Sequence, residues 1–400
     1  MKYVIVLGDG MADEPIEELG GDTIIEHAST PCLDRLSRES EIGMVHTIPD
    51  GMKPGSDTAN LSVLGYDPKK YYSGRSPLEA LSIGVPMKAD DIAIRCNIVT
   101  ISDDDVPFEE KTIIDHSSDE ISTEDCAVLL QAVKEQLETE KYHFYVGTSY
   151  RHCLIWNGGK VVELTPPHDV LTQKIGPHLP KDPVLREMMR KSYDILKDHP
   201  LNRKRKEQGL HPANCCWFWG AGTRPALSSF EEKTGKKGMM ISAVDLLKGI
   251  ATGAGMGIAH VKGANGGLHT NYAGKTEAAV KALLEDGYDF AYIHVEAPDE
   301  MGHQGSIEKK LQAVEYLDGQ VIAPLTEALD KAGTDYRLMV LPDHPTPICK
   351  RTHTGDSVPY LLYDSTDRKK SNLLYGEKNA AKSGIFIPEG HKLIDHLFEK

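Results

Sequence analysis

The residues best suited to chemistry in this 400-residue chain begin with Asp343-His344-Pro-Thr-Pro-Ile-Cys-Lys-Arg-Thr-His353. An Asp, an adjacent His and a second His further on are mixed oxygen and nitrogen donors, a set suited to a divalent transition metal. Pro342, Pro345 and Pro347 break regular structure, so the donors sit in the loop after the apolar run 336–341, which reads as a buried strand. A second set is Glu296-Ala-Pro-Asp299-Glu-Met-Gly-His303, just beyond the apolar run 289–295. There Asp299 and His303, at i and i+4, share one face of a helical turn. A third acid, Asp9, follows the apolar run 2–7 in Gly8-Asp9-Gly10-Met11. The last group is Pro54-Gly55-Ser56-Asp57-Thr58-Ala59-Asn60. Gly55 gives the chain freedom to turn, and the residues after Ser56 read as a helix ended by Gly65. The Ser56 hydroxyl then lies at a helix N-terminus, where free amides and the dipole favour an alkoxide or a phosphoryl group.

Each feature alone has a plain explanation: a solvated loop histidine, an aspartate capping a turn, an N-cap serine. Their placement changes the balance. Asp9, Asp299, Asp343, His344 and His353 all fall at or beyond the C-terminal ends of predicted parallel strands, and in one open sheet those ends share an edge. Consecutive Asp343 and His344 splay apart, which suits two ions better than one, and paired ions clamp the attacking and leaving oxygens of phosphoryl transfer.

The elements that must carry these groups alternate strand and helix from about residue 235 onward, implying a mostly parallel sheet with helices on both faces. Between them, residues 88–234 change character. A strand over 92–101 carries Arg95, a helix is predicted for 122–138, strands near 142–146 and 153–156, and a helix for 182–196. A hydrophilic linker over 201–209 and an apolar strand over 215–219 complete the stretch, which reads as an inserted α+β domain. The catalytic core is therefore expected in 1–87 and 235–400. A single long helix is predicted for 306–331.

Composition excludes several classes. A formal charge of −15 argues against nucleic acid or an anionic membrane as partner, and no apolar stretch approaches a membrane span. Seven scattered cysteines without a CxxC pair fit reduced thiols, and a cytoplasmic location is expected. Ala273-Gly274-Lys275-Thr276 fails as a P-loop, because His269 stands where the earlier glycine is needed. Gly253-Ala-Gly255-Met-Gly257 lacks the dinucleotide-binding spacing.

Taken together, these motifs and Gly74-Arg75-Ser-Pro-Leu-Glu79-Ala resemble the archaeal-type cofactor-independent phosphoglycerate mutases of the alkaline phosphatase superfamily, over nearly the whole chain. The resemblance implies an alkaline-phosphatase-like α/β core with an inserted cap. It also implies two divalent ions, with manganese favoured and zinc, cobalt or magnesium compatible. One ion would be held by Asp9, Ser56, Asp343 and His344, and the other by Asp299, His303 and His353. Ser56 would be the nucleophile that carries the phosphoryl group, and a small substrate, phosphoglycerate, is the implied partner. A serine hydroxyl is a poor nucleophile at neutral pH, and metal coordination activates it without a histidine base. Arginines suit the substrate's anionic groups. Arg95, Arg151 with His152, and Arg224 are the cap candidates, followed by Lys262 and Arg75.

Two features point toward a bacterial branch of the same family proposed to act as homoserine kinases: Tyr150-Arg-His152-Cys-Leu-Ile-Trp and Gly8-Asp-Gly-Met11. His116 also stands where the mutase pattern leads one to look for an arginine. Homoserine kinase is thus the alternative reading, followed by a metal-dependent phosphomonoesterase and a non-enzymatic binding module.

Overall fold

The computed structural model describes residues 1–369 and 371–399. The chain divides into two compact units, Met1–Tyr72 with Leu227–Lys400, and Ser73–Ala226. The division falls earlier than residues 88 and 235. Helix Arg75–Ser82 packs on strands Ile92–Ile101 and Cys215–Thr223, which makes it part of the second unit.

The first unit is built on an eight-stranded sheet. Its strands run in the order Phe386–Ile387, Ser40–Val45, Val358–Asp364, Tyr336–Leu341, Lys2–Gly8, Phe290–Val295, Gly238–Ile241 and Gly257–Ile258. Val358–Asp364 pairs antiparallel with both neighbours, and the other pairings are parallel. Phe290–Val295 is buried at every residue, and Lys2–Gly8 and Tyr336–Leu341 at nearly every one, so both faces of the sheet are covered. Such strands read as continuous apolar runs, which is why 2–7, 289–295 and 336–341 are legible. Ser40–Val45, broken by Glu41 and Gly43, does not stand out in the hydrophobic pattern; Val358–Asp364 is apolar, but its Pro359 argues against a strand interior, and the structure locates both.

Register matters most for function. Leu7 pairs with Leu341 on one side and His294 on the other, so three neighbouring parallel strands end level. Asp9, Asp343 and the helix Ala297–Gln304 all follow from that common edge.

The predicted long helix is interrupted. Ile307–Leu317 passes through a π-helical stretch, Asp318–Ile322, before Ala323–Lys331. The buried Asp318 carboxylate accepts from Cys32 N and Leu33 N at 3.1 and 2.7 Å, capping helix Pro31–Ser37, which has no side-chain cap of its own. A widened turn that re-aims one buried side chain explains the irregularity.

The second unit is a five-stranded sheet, antiparallel throughout, centred on Ile92–Ile101. One apolar face, with Ile94, Cys96 and Ile98, joins a core shared with helices Thr123–Leu137 and Pro183–Leu196. The predicted linker at 201–209 is instead the helix Pro200–Glu207. Pro200 starts it, and two of its polar side chains turn inward: Asn202 donates to Leu196 O and Ala213 O, and Arg205 to Ser118 O and His211 O. Inward amide and guanidinium groups that bind main-chain carbonyls make a hydrophilic sequence structural rather than loose. All seven cysteines are free thiols, and only Cys349 is exposed. No helix among the described residues is long and apolar enough to cross a membrane.

Candidate metal centre and nucleophile

The sheet edge of the first unit gathers the donors into one site. Asp343 is fully buried and its lone pairs are largely spoken for. Oδ1 accepts from Gly10 N at 3.1 Å and His344 N at 2.9 Å, and Oδ2 from Asn60 Nδ2 at 2.9 Å. Gly10 is required here on two counts. Its φ of +59° is left-handed, and a Cβ would collide with Asp299 and Thr346. Gly55, by contrast, has an extended φ of 179° that any residue adopts. What it supplies is space, since a Cβ would meet Asp57 Oδ1 at 2.7 Å.

Ser56 opens helix Ser56–Val63, and its Oγ lies 3.1 Å from His344 Nε2. The same ring nitrogen is 3.5 Å from Asp9 Oδ1 and 3.4 Å from Asp343 Oδ2. Asp9, Asp343 and His344 thus form one group of converging ligand atoms, and Asp299, His344 and His353 form another. His303 belongs with the second: its Nε2 is 3.1 Å from Asp299 Oδ2 and 3.0 Å from His353 Nε2, while Nδ1 lies 3.0 Å from Arg351 O. The His344 and His353 rings stack at 4.0 Å. His344 therefore stands between the two sets.

Electrostatics set these groups apart. Burial, reinforced by Asp343, Asp299 and Glu296, raises the Asp9 carboxyl well above the usual carboxylate range. Asp299 moves the other way: burial opposes its charge, but hydrogen bonds from His303 and His353 outweigh that and hold it low. Its partnership with Asp299 pushes His303 up to about 9. Burial lowers His344. Among the described residues Asp9 Oδ1 accepts no hydrogen bond, although it is buried and turned toward His344. A buried oxygen of this kind, amid carboxylates and imidazoles, fits a divalent cation.

Several contributors carry no warning in the sequence pattern. Thr346 Oγ1 lies 3.3 Å from His344 Nδ1 and donates to Asp299 Oδ1, tying one member of each set together. Tyr292 OH donates to Asn60 Oδ1 at 2.5 Å, orienting the amide that binds Asp343. His294 Nε2 is 2.9 Å from Asp9 Oδ2. Asn60 belongs to the motif around Ser56, but its role needed the structure. Thr346 hides between two prolines, and a lone His in an apolar strand was the only cue for His294.

Lys310 is fully buried and joins the two ligand loops. Its ammonium reaches Asp13 Oδ2 at 2.8 Å, Thr346 O at 2.8 Å and Ala12 O at 3.2 Å. Lys310→Met is expected to cost about 3–5 kcal/mol of stability, because it leaves a buried carboxylate unpaired. Urea unfolding of the two proteins measures this, and a loss under about 1 kcal/mol would contradict the role.

The cap candidates lie in the second unit, apart from Lys262, which is exposed in the first unit's loop before helix Tyr272–Leu284. Alternation along strand Arg151–Trp156 separates a proposed pair. Arg151 is exposed, with its guanidinium 5.5 Å from the Tyr150 ring, whereas His152 points into the core. Gly147 N donates to His152 Nδ1 at 3.1 Å, and Nε2 contacts Cys126 Sγ at 3.0 Å. His152 is therefore a core residue, not an anion-binding one. Arg95 is not a free cation either: Glu79 holds it by two hydrogen bonds, and it stacks 4.3 Å over Trp219. Arg75 also pairs with Glu79, at 3.2 Å. Arg224 is exposed and lines a cavity of about 410 Å³ with Lys88, Asp91 and Tyr145.

Burial pushes His152 down to about 4. The unfolded chain, with an imidazole near 6.5, then takes up the proton first. Its contribution is complete above about pH 6.5 and falls away toward pH 4, by about 3 kcal/mol. The stability gap between the wild type and His152→Leu is expected to narrow by that amount between pH 7.5 and 4. An unchanged gap in denaturant unfolding would refute it.

A mostly parallel α/β sheet whose edge gathers a serine, three aspartates and three histidines defines a phosphoryl-transfer type of centre. Comparison with known proteins narrows the class. Residues 37–202 match the family model for 2,3-bisphosphoglycerate-independent phosphoglycerate mutase. The mutase of that name from Methanosarcina mazei is 46% identical over 96% of each chain. Among solved structures, a Pyrococcus horikoshii protein superposes with a TM-score of 0.81 at 28% identity, covering 100% of this chain and 96% of the other. The cofactor-independent phosphoglycerate mutase of Thermoplasma acidophilum does so with 0.69 at 27%, covering 100% and 99%. The chain belongs to the 2,3-bisphosphoglycerate-independent phosphoglycerate mutase family.

Proposed function

We propose that the protein interconverts 3- and 2-phosphoglycerate by way of a phosphoserine at Ser56. The observation that carries this reading is the position of Ser56 Oγ, 3.1 Å from His344 Nε2 at the start of a helix and beside the buried Asp9 and Asp343. Family membership supports it.

Asp9, Ser56, Asp343 and His344 would hold one divalent ion, and Asp299, His303 and His353 a second, with manganese the favoured metal. Bound there, the pair would supply Lewis-acid charge to lower the Ser56 hydroxyl's pKa and to neutralise the phosphoryl oxygens. Ser56 Oγ gives up its proton and attacks phosphorus, the P–Oγ bond forms, the bond to the substrate oxygen breaks, and that oxygen takes up a proton to become the glycerate hydroxyl. In the second half the other glycerate hydroxyl attacks the phosphoserine, and Ser56 leaves with its proton restored. The amides at the start of helix Ser56–Val63 favour the negative charge that accumulates. Between the halves the glycerate must stay bound and water must be excluded. The second unit is assigned the gripping role, with Arg151 and Arg224 as the exposed guanidinium groups for the carboxylate.

The test is an assay of purified, Mn²⁺-loaded protein with 3-phosphoglycerate and no added bisphosphoglycerate. The expected product is 2-phosphoglycerate without net phosphate release. Phosphorylation of homoserine from ATP with no mutase turnover would overturn the reading in favour of a kinase. Stoichiometric phosphate release would make the protein a phosphomonoesterase.

A further inference from the structure

The geometry points to His294 as a positioning residue: with Ser242, it fixes the Asp9 carboxylate so that a single oxygen is left to bind a divalent ion. This rests on the metal-site reading above. Three adjacent parallel strands build the device at their C-terminal ends. Lys2–Gly8 leads into Asp9, Phe290–Val295 carries His294, and Gly238–Ile241 leads into Ser242. Ile241 pairs with Ile293, and His294 with Leu7, so the three polar residues follow one another across the sheet.

Hydrogen-bond accounting gives each group one role. Val244 N–H donates to Ser242 Oγ at 3.0 Å, which leaves the serine proton to go elsewhere. Ser242 Oγ lies 3.2 Å from His294 Nδ1, and with an acceptor-only Asp9 carboxylate facing Nε2 the neutral ring takes its proton on Nε2, so Nδ1 accepts from the hydroxyl. The ring proton then resides on Nε2, 2.9 Å from Asp9 Oδ2. His294 is fully buried, and its carbonyl accepts from Lys275 Nζ at 2.7 Å, which anchors the residue from the main-chain side as well. Asp9 Oδ2 is thereby occupied. Oδ1 accepts no hydrogen bond among the described residues and faces His344 Nε2 at 3.5 Å. A carboxylate held by one oxygen presents the other in a preset direction, which favours monodentate binding.

A buried imidazole with two matched partners is costly unless both bonds form, so an otherwise apolar strand carries His294 only where both partners are in place.

The experiment titrates metal-free wild type, His294→Leu, His294→Gln and Ser242→Ala with Mn²⁺, following free ion by electron paramagnetic resonance. Circular dichroism and thermal unfolding of the metal-free forms run alongside. His294→Leu is expected to bind Mn²⁺ about 10- to 100-fold more weakly. His294→Gln, whose side-chain amide can place an N–H near the Nε2 position, is expected to recover most of that loss. Ser242→Ala is expected to fall between, because the ring loses the bond that selects its tautomer. Imidazole ¹⁵N shifts of the metal-free protein should show His294 protonated on Nε2 alone. Folded His294→Leu with wild-type affinity, or His294→Gln no better than Leu, would overturn the positioning role. Should His294→Leu not fold, Ser242→Ala with wild-type affinity and a ring protonated on Nδ1 would overturn it equally. A wild type that binds no Mn²⁺ would instead defeat the metal-site reading itself.

Discussion

Ser56→Ala is expected to reduce mutase turnover by at least about 10⁴-fold, since an alanine leaves no atom to carry the phosphoryl group between the two glycerate oxygens. The fold should tolerate the change. The Ser56 carbonyl, not its hydroxyl, is what Asn60 binds, at 2.8 Å, and the Asn60–Asp343 bond is untouched. Among the described residues the Oγ contact is to His344 alone, and helix Ser56–Val63 has no side-chain cap to lose. Unfolding curves of the variant and wild type should therefore nearly coincide. Acid quenching during turnover should trap a phosphorylated peptide containing Ser56 in the wild type and none in the variant. Residual turnover within tenfold of wild type would show that the phosphoryl group travels by another route.

Stripping divalent ions is expected to abolish turnover and lower the unfolding temperature together. Asp9 and Asp343 are buried in one group of ligand atoms and Asp299 in the adjoining one, and burial with repulsion from both neighbours already raises the Asp9 carboxyl. A cation removes that penalty only in the folded state. At an ion concentration about 100 times its Kd the gain is about 2.7 kcal/mol, or roughly 3–5 °C for a chain of this size. Calorimetry of chelated protein, before and after Mn²⁺ is restored, measures both effects on one sample. Full activity in the chelated protein would sink the metal-centre reading. A shift in unfolding temperature without recovered activity would keep the ions but give them a structural task.

How much was legible beforehand differs by residue. Asp9, Asp299, Asp343, His344 and His353 could be grouped from sequence because each follows a continuous apolar run, and parallel strands buried on both faces end at a common edge. Asp299 and His303 could be paired because helical spacing puts i and i+4 on one side. The 201–209 stretch was misleading for the opposite reason. Its charge suggests a solvated linker, yet Asn202 and Arg205 spend their donors on main-chain carbonyls that no local pattern reveals. The Arg151-His152 pair fails on elementary grounds, since neighbours in a strand face opposite sides of the sheet.

By itself, then, the sequence determined the candidate donors, the serine at a helix start, and that the strand-end donors share a sheet edge. These follow from local periodicity and residue type. Only the tertiary structure decided what orients them. The Gly10 amide on Asp343, Thr346 between His344 and Asp299, Lys310 across two loops and His294 behind Asp9 join positions remote in the chain. Hydrogen-bond geometry between distant segments leaves no periodic trace along the sequence. The same limit applies to the arginines, whose availability depended on whether a partner such as Glu79 had already taken the charge.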